Sequence, residues 1–172
     1  MNTIVQKKVC LLGDFGVGKT SLVRRFVEDR FDDKYLTTIG VKISRKTIVR
    51  SYGSMSMLIW DLAGSTGFDT FTNPSYMQGT AGAIIVCDIT RRETLTIVAE
   101  YARQARIINP KIHLVFVGNK MDRTGERLVS DEDLREVSST FGDGTYFMSS
   151  AKTGENVDDV FFALAEKIDA GA

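Results

Sequence analysis

The chain has 172 residues, 43% of them hydrophobic and 26% charged, the balance of one globular domain with a core of its own. Its 22 basic and 22 acidic residues cancel, which argues against a chain built mainly to hold nucleic acid or an anionic membrane. The two cysteines, Cys10 and Cys87, exclude a disulfide framework and read as small buried hydrophobes of a reducing compartment. No apolar run is long enough for a membrane span, and Met1-Asn2-Thr3 opens neither a signal peptide nor a myristoylation site. No cysteine stands near the C-terminus to carry a prenyl anchor. These features predict a cytoplasmic protein with no lipid anchor in this chain.

Six β-rich runs alternate with helical patterns. Lys7 to Gly13 contains the apolar stretch Val9-Cys10-Leu11-Leu12 and runs into Gly13-Asp14-Phe15-Gly16-Val17-Gly18-Lys19-Thr20. Leu22, Val23, Phe26 and Val27 then open a helix. Val41 to Arg50 has a mixed pattern, as an edge strand has, and Met55 to Asp61 follows it. Ala83-Ile84-Ile85-Val86 in the run Ala83 to Asp88, Leu114-Val115-Phe116-Val117 in the run His113 to Asn119, and Tyr146-Phe147-Met148 in the run Tyr146 to Ser149 are continuously apolar, which suits strands covered on both faces of a parallel sheet. Arg91, Arg92, Arg103 and Arg106 read as a solvated helix surface. Ser130-Asp131-Glu132-Asp133 has the capping-box form. Val157, Val160, Phe161, Leu164, Ala165 and Ile168 make one helix face, with Asn156 as the expected N-cap. The alternation predicts a three-layer α/β domain with a mostly parallel sheet. Ligands bind such sheets at the carboxyl ends of the strands.

The motifs fall at those ends. Gly13 to Thr20 matches G-x-x-x-x-G-K-[ST] between a strand and a helix. Backbone N–H groups from Asp14 to Ser21 would surround phosphate oxygens, aided by the positive end of the helix dipole. Lys19 would neutralise the β- and γ-phosphates, and the Thr20 hydroxyl would bind Mg²⁺. Asn119-Lys120-Met121-Asp122 ends another apolar strand. A carboxylate at Asp122 can accept from both N1–H and the 2-amino group of guanine, whereas adenine offers neither. Ser149-Ser150-Ala151-Lys152 ends the last strand, where a backbone N–H could meet the guanine O6.

Taken together, Gly13 to Thr20, Thr37-Thr38-Ile39-Gly40, Trp60-Asp61-Leu62-Ala63-Gly64, Asn119 to Asp122 and Ser149 to Lys152 resemble the Ras superfamily of small GTPases, most closely its Rab-like branch. The resemblance runs from about Lys7 to Ile168. It implies the three-layer P-loop NTPase fold: a six-stranded, mostly parallel sheet with one antiparallel strand and about five helices, with residues 1–172 forming a single G domain. It also implies GTP or GDP with Mg²⁺ as ligands. Thr38 would bind Mg²⁺ and sense the γ-phosphate, Asp61 would hold Mg²⁺ through a water, and the Gly64 N–H would bond the γ-phosphate. Tyr35 would close over the phosphates and Phe31 would pack on the guanine edge. Asn119, Lys120 and Asp122 would read the base, with the N–H of Ala151 contributing, Ser150 beside it, and Lys152 covering the base plane. Loss of the γ-phosphate would release the switch segments around Tyr35, Thr38 and Gly64. An exchange factor, a GTPase-activating protein and effectors are the implied partners, with nucleic acid excluded and the chain monomeric.

Two positions depart from the family pattern. Ser65 stands where most relatives have the glutamine that orients the attacking water. Phe15 is bulky where relatives carry a small residue, and would crowd the γ-phosphate or an incoming arginine finger. Both predict slow unaided hydrolysis. Alternatives are a pseudo-GTPase module that stays GTP-bound as an interaction scaffold, and a P-loop ATPase or kinase, against which Asp122 argues.

Overall fold

The computed structural model describes residues 4–32, 40–62 and 74–171. The expected α/β fold is what it contains. Strand β1 (Ile4–Gly13) leads through the Gly-rich loop into α1 (Lys19–Glu28). Strands β2 (Val41–Arg50) and β3 (Gly53–Leu62) form a hairpin. After a short 3-10 turn at Pro74–Tyr76 come β4 (Thr80–Asp88), α2 (Glu93–Ile108) and β5 (His113–Asn119). A second 3-10 turn at Thr124–Glu126 precedes α3 (Asp131–Phe141), β6 (Tyr146–Met148) and α4 (Val157–Ala170). The described residues thus hold four of the helices the resemblance implies.

The six strands lie in the order β2-β3-β1-β4-β5-β6. Only β2 and β3 pair antiparallel; every other pair is parallel. Alternation along β1 shows how the core divides. Val9 and Leu11 pack with Phe26 of α1 and Phe161 and Leu164 of α4, whereas Cys10 and Leu12 pack with Val98 and Tyr101 of α2 and Leu134 of α3. The rings of Phe26 and Phe161 stack at 4.1 Å and join the two helices on the first side. Both cysteines are fully buried, and burial pushes the Cys10 thiol up to about 11 and the Cys87 thiol up to about 12. They are core residues, not reactive thiols.

Three local expectations change. Tyr146 and Phe147 are only half-buried, because β6 is the outer strand of the sheet and not a covered one. Asn156 does not cap α4 with its side chain. It sits in the left-handed region, φ 61°, and its Nδ2 donates instead to the Met148 carbonyl at 2.8 Å, tying the helix start back to β6. Nor is Arg91 part of a solvated helix face, since its guanidinium bonds the Gly-rich loop.

The Ser130 capping box is formed in both directions: Ser130 Oγ accepts from the Asp133 N–H at 3.1 Å and Asp133 Oδ2 from the Ser130 N–H at 3.0 Å. Arg92, together with these two bonds, holds the Asp133 carboxyl well below the usual carboxylate range. Ser130→Ala is expected to cost about 1 kcal/mol, the usual worth of an N-cap. A thermal melt would register this as a fall of a few degrees.

Candidate functional site

Strands β1, β5 and β6 deliver three loops to one edge of the sheet. Gly13 ends β1 so close to β4 that a Cβ there would lie 2.4 Å from the Val86 carbonyl oxygen. Only glycine lets the chain turn out at that point. The loop returns at Gly18, φ 102°, where a Cβ would lie 2.3 Å from Asn119 Nδ2. Gly18 is the N-cap of α1 and, having no side chain, makes no side-chain capping bond. The helix N-terminus therefore opens into the loop, where its dipole favours an anion.

Lys19 is buried at this opening, 7% exposed, and its ammonium donates to the carbonyls of Gly13 at 2.8 Å and Asp14 at 3.0 Å. Burial brings its pKa down to about 8, although the nearby carboxylates of Asp61 and Asp14 oppose the shift. Thr20 Oγ1 donates to Asp61 Oδ2 at 2.5 Å. A hydroxyl and a carboxylate in contact beside a phosphate loop are hard oxygen donors, so the pair fits Mg²⁺, which takes few protein ligands and keeps phosphate and water oxygens. The described residues contain no cluster of three or more His, Cys, Asp or Glu side chains able to hold a metal.

The loop's outward carbonyls are caught one after another. Phe15 O accepts from Arg91 Nη1 at 2.8 Å, Gly16 O from Lys120 Nζ at 2.9 Å, and Val17 O from Asn119 Nδ2 at 3.0 Å. In a trans peptide the N–H points opposite to the C=O. Holding these carbonyls outward therefore aims the N–H groups of Gly16, Val17 and Gly18 to the inside of the loop.

Asn119 and Lys120 come from the end of β5, so the second loop is bonded directly to the first. Asn119 Oδ1 accepts from the Ala151 N–H and from Ser149 Oγ, each at 3.2 Å, and so joins the third loop as well. Lys120 takes the left-handed conformation, φ 71°, and its ammonium lies 2.9 Å from Asp88 Oδ2. Burial would push the Asp88 carboxyl up, but bonds from Thr90 and Lys120 outweigh it and hold the carboxyl below its ordinary value. Asp122 is exposed, and its Oδ1 accepts from the Ser150 hydroxyl at 2.7 Å. Ser150 Oγ in turn accepts from the Thr153 N–H at 3.1 Å, which orients the hydroxyl toward Asp122.

The structure thus brings together Asp14 to Thr20, Asp61, Asn119, Lys120 and Ala151 through direct bonds, and links Asp122 to Ser150. Phe31 is half-buried against the α1–α4 side of the core, and Lys152 is exposed. Tyr35, Thr38, Gly64 and Ser65 lie outside the described residues. Three residues at the site were missed by sequence reasoning. Arg25 of α1 donates through Nε to the Ala151 carbonyl at 2.9 Å and through Nη2 to the Lys152 carbonyl at 2.5 Å. Asp88 and Arg91 are the others. None carries a local sequence signal, since each acts across a tertiary contact.

The Ras family model matches residues 8–170. The chain is similar to the Ras-related protein Rab-22A of Mus musculus, 39% identical over 162 residues that span 94% of this chain and 82% of the relative. It is similar to the Ras-related protein Rab-31 of Homo sapiens, 36% identical over 169 residues, 98% and 86% of the two chains. A plant relative, the GTP-binding protein YPTM2 of Zea mays, is 35% identical over 162 residues, 94% and 79% of the two. Among the described residues no helix is long and apolar enough to cross a membrane.

Proposed function

This chain belongs to the Ras family of small GTP-binding switch proteins, and from that membership we propose that it binds GTP and GDP with Mg²⁺ and hydrolyses GTP slowly when unaided. The observation that supports this best is the direct bonding of the base-side loop to the phosphate loop: Lys120 to Gly16 O at 2.9 Å and Asn119 to Val17 O at 3.0 Å. One nucleotide would lie along both loops, its phosphates on the inward N–H groups and its base beside Asp122.

The roles follow from the chemistry of each group. Lys19 would meet the β- and γ-phosphates. Asp122, steadied by Ser150, would accept from N1–H and the 2-amino group of guanine. Asn119, engaged at both ends of its amide, acts as a brace between the three loops. The Ala151 N–H, which donates to Asn119 Oδ1, would meet the guanine O6. Lys120 and Lys152 would cover the base plane, and Phe31 would close its edge. Mg²⁺, when bound, supplies positive charge that neutralises the phosphates; Thr20 and Asp61 would hold it, Asp61 through a water, with Thr38 added in the GTP state. Tyr35, Thr38 and Gly64 are assigned to switching by their motifs alone. Exchange factors, activating proteins and effectors would read the two states.

Slow hydrolysis rests on two residues. The Ser65 hydroxyl is carried on Cβ, too short to orient a water where a glutamine amide would reach. Phe15, 43% exposed on the loop, would crowd the γ-phosphate, and would also stand in the way of a partner's arginine. With no partner present, single-turnover phosphate release from the GTP-loaded protein is expected to leave most GTP intact after hours. Ser65→Gln should speed release at least about tenfold. A Ser65→Gln protein no faster than its parent removes Ser65 as the defect. GTP that stays intact in both would favour the GTP-bound scaffold reading.

A further inference from the structure

The geometry points to Arg91 as a positioning residue for the nucleotide phosphates, one that neutralises a carboxylate inside the phosphate loop and aims a loop N–H inward. This inference rests on the nucleotide-binding reading above. Asp14 is an acid in a loop that must hold anions. Its side chain is only 10% exposed, so water screens its charge poorly. Oδ1 accepts the Phe15 N–H at 2.8 Å, which takes that donor away from any phosphate. Left alone, the carboxylate would repel the ligand.

Arg91 answers both problems with one planar group. Nη2 lies 3.2 Å from Asp14 Oδ2, and Nη1 donates to Phe15 O at 2.8 Å. The third nitrogen, Nε, donates to Glu93 Oε1 at 3.3 Å, so the whole fork is oriented. Its backbone is fixed as well. The Arg91 N–H donates to Asp88 O at 3.0 Å, and Arg91 O accepts from the buried Thr94 through its N–H at 3.1 Å and its hydroxyl at 2.6 Å. A guanidinium held in this way can bridge a carboxylate and a carbonyl at once; a lysine ammonium on its flexible stem does not reproduce that geometry. Because Phe15 O is held outward, the Gly16 N–H points inward, where it completes the row whose other members are set by Lys120 and Asn119.

The test is the affinity for GDP, with Mg²⁺ present, of five forms: the parent, Arg91→Ala, Arg91→Lys, Asp14→Asn, and Arg91→Ala with Asp14→Asn. Arg91→Ala is expected to weaken binding about tenfold, and Arg91→Lys to fall between it and the parent. Adding Asp14→Asn to Arg91→Ala should recover at least half of the loss on a logarithmic scale. Removing the carboxylate removes the repulsion, and the asparagine oxygen can still accept the Phe15 N–H. An arginine that merely held the fold together would leave the double variant as weak as Arg91→Ala, or weaker. That result, or an Arg91→Ala affinity within twofold of the parent, would overturn the inference. Should Arg91→Ala not fold, as judged by its melt in saturating GDP, Arg91→Lys alone and combined with Asp14→Asn decides by the same criterion. A parent that binds no GDP would instead overturn the nucleotide-binding reading itself.

Discussion

Asp122→Asn is expected to weaken GDP binding about a thousandfold and to make xanthosine diphosphate the preferred ligand. The argument is one of donors and acceptors. The Asp122 carboxylate can accept from N1–H and from the 2-amino group of guanine, two charge-assisted bonds worth about 1.5–3 kcal/mol each. Its Oδ1 is oriented by the Ser150 hydroxyl at 2.7 Å, so the group presents itself in one pose. An asparagine keeps an oxygen for N1–H and for Ser150, but turns an NH₂ donor toward the 2-amino donor of guanine. Xanthine carries a carbonyl at that carbon, which accepts the new donor. Competition of GDP, xanthosine diphosphate and ADP against a fluorescent nucleotide would measure the change. A variant that holds GDP within threefold of the parent, with no gain for xanthosine diphosphate, removes Asp122 from base recognition.

What the sequence revealed of this site follows from how each part acts. The phosphate loop is local. Its glycines, Lys19 and Thr20 stand next to one another in the chain, and a strand and a helix flank them. Apolar runs located β1, β4 and β5, and with them two of the three loops, because covered strands must be continuously hydrophobic. The mixed run Val41 to Arg50 located the edge strand for the converse reason. Reading failed where a residue acts through the fold. Arg91 is one of several arginines near α2, and nothing in its neighbours says that it reaches Asp14 and Phe15. Arg25 faces Ala151 and Lys152 from a helix far away in the chain. Asn156 has the residue type of a cap, but its conformation sends the amide to Met148. Tyr146-Phe147-Met148 is as apolar as a central strand, and strand order, which periodicity does not encode, put it at the edge.

The same division explains the charge arrangement. Lys19, Arg91 and Lys120 each send a cationic group to backbone carbonyls of the loop, and each has a carboxylate nearby: Asp61 and Asp14 for Lys19, Asp14 for Arg91, Asp88 for Lys120. Arg91 and Lys120 hold their carbonyls away from the ligand side, and Asp61 and Asp14 oppose the loss of charge that burial imposes on Lys19.

Lys19 carries the largest consequence of that balance, because in its case burial wins. Its pKa in the protein is about 8, against 10.5 for the free side chain. Phosphates favour the ammonium form, so binding above pH 8 requires that a proton be taken up. Nucleotide affinity should be nearly flat below pH 8 and fall by up to tenfold per pH unit above it. The protein without nucleotide should respond in the opposite sense. Between about pH 8 and 10.5 the unfolded chain holds this proton and the folded chain does not, so Lys19 adds stability as pH rises through that window. Below pH 8 both states are protonated and the cost of the buried charge is carried in full. Lys19→Met keeps the stem and removes the charge. It should weaken GDP binding about a thousandfold, as truncation of one partner of a buried charge pair does. It should also abolish the affinity change above pH 8 and make the nucleotide-free protein more stable at neutral pH. Titration calorimetry in two buffers of different ionisation enthalpy would count the protons directly. An uptake of zero at pH 9 would mean that Lys19 keeps its proton in the nucleotide-free protein, and that Asp14 and Asp61 outweigh burial after all.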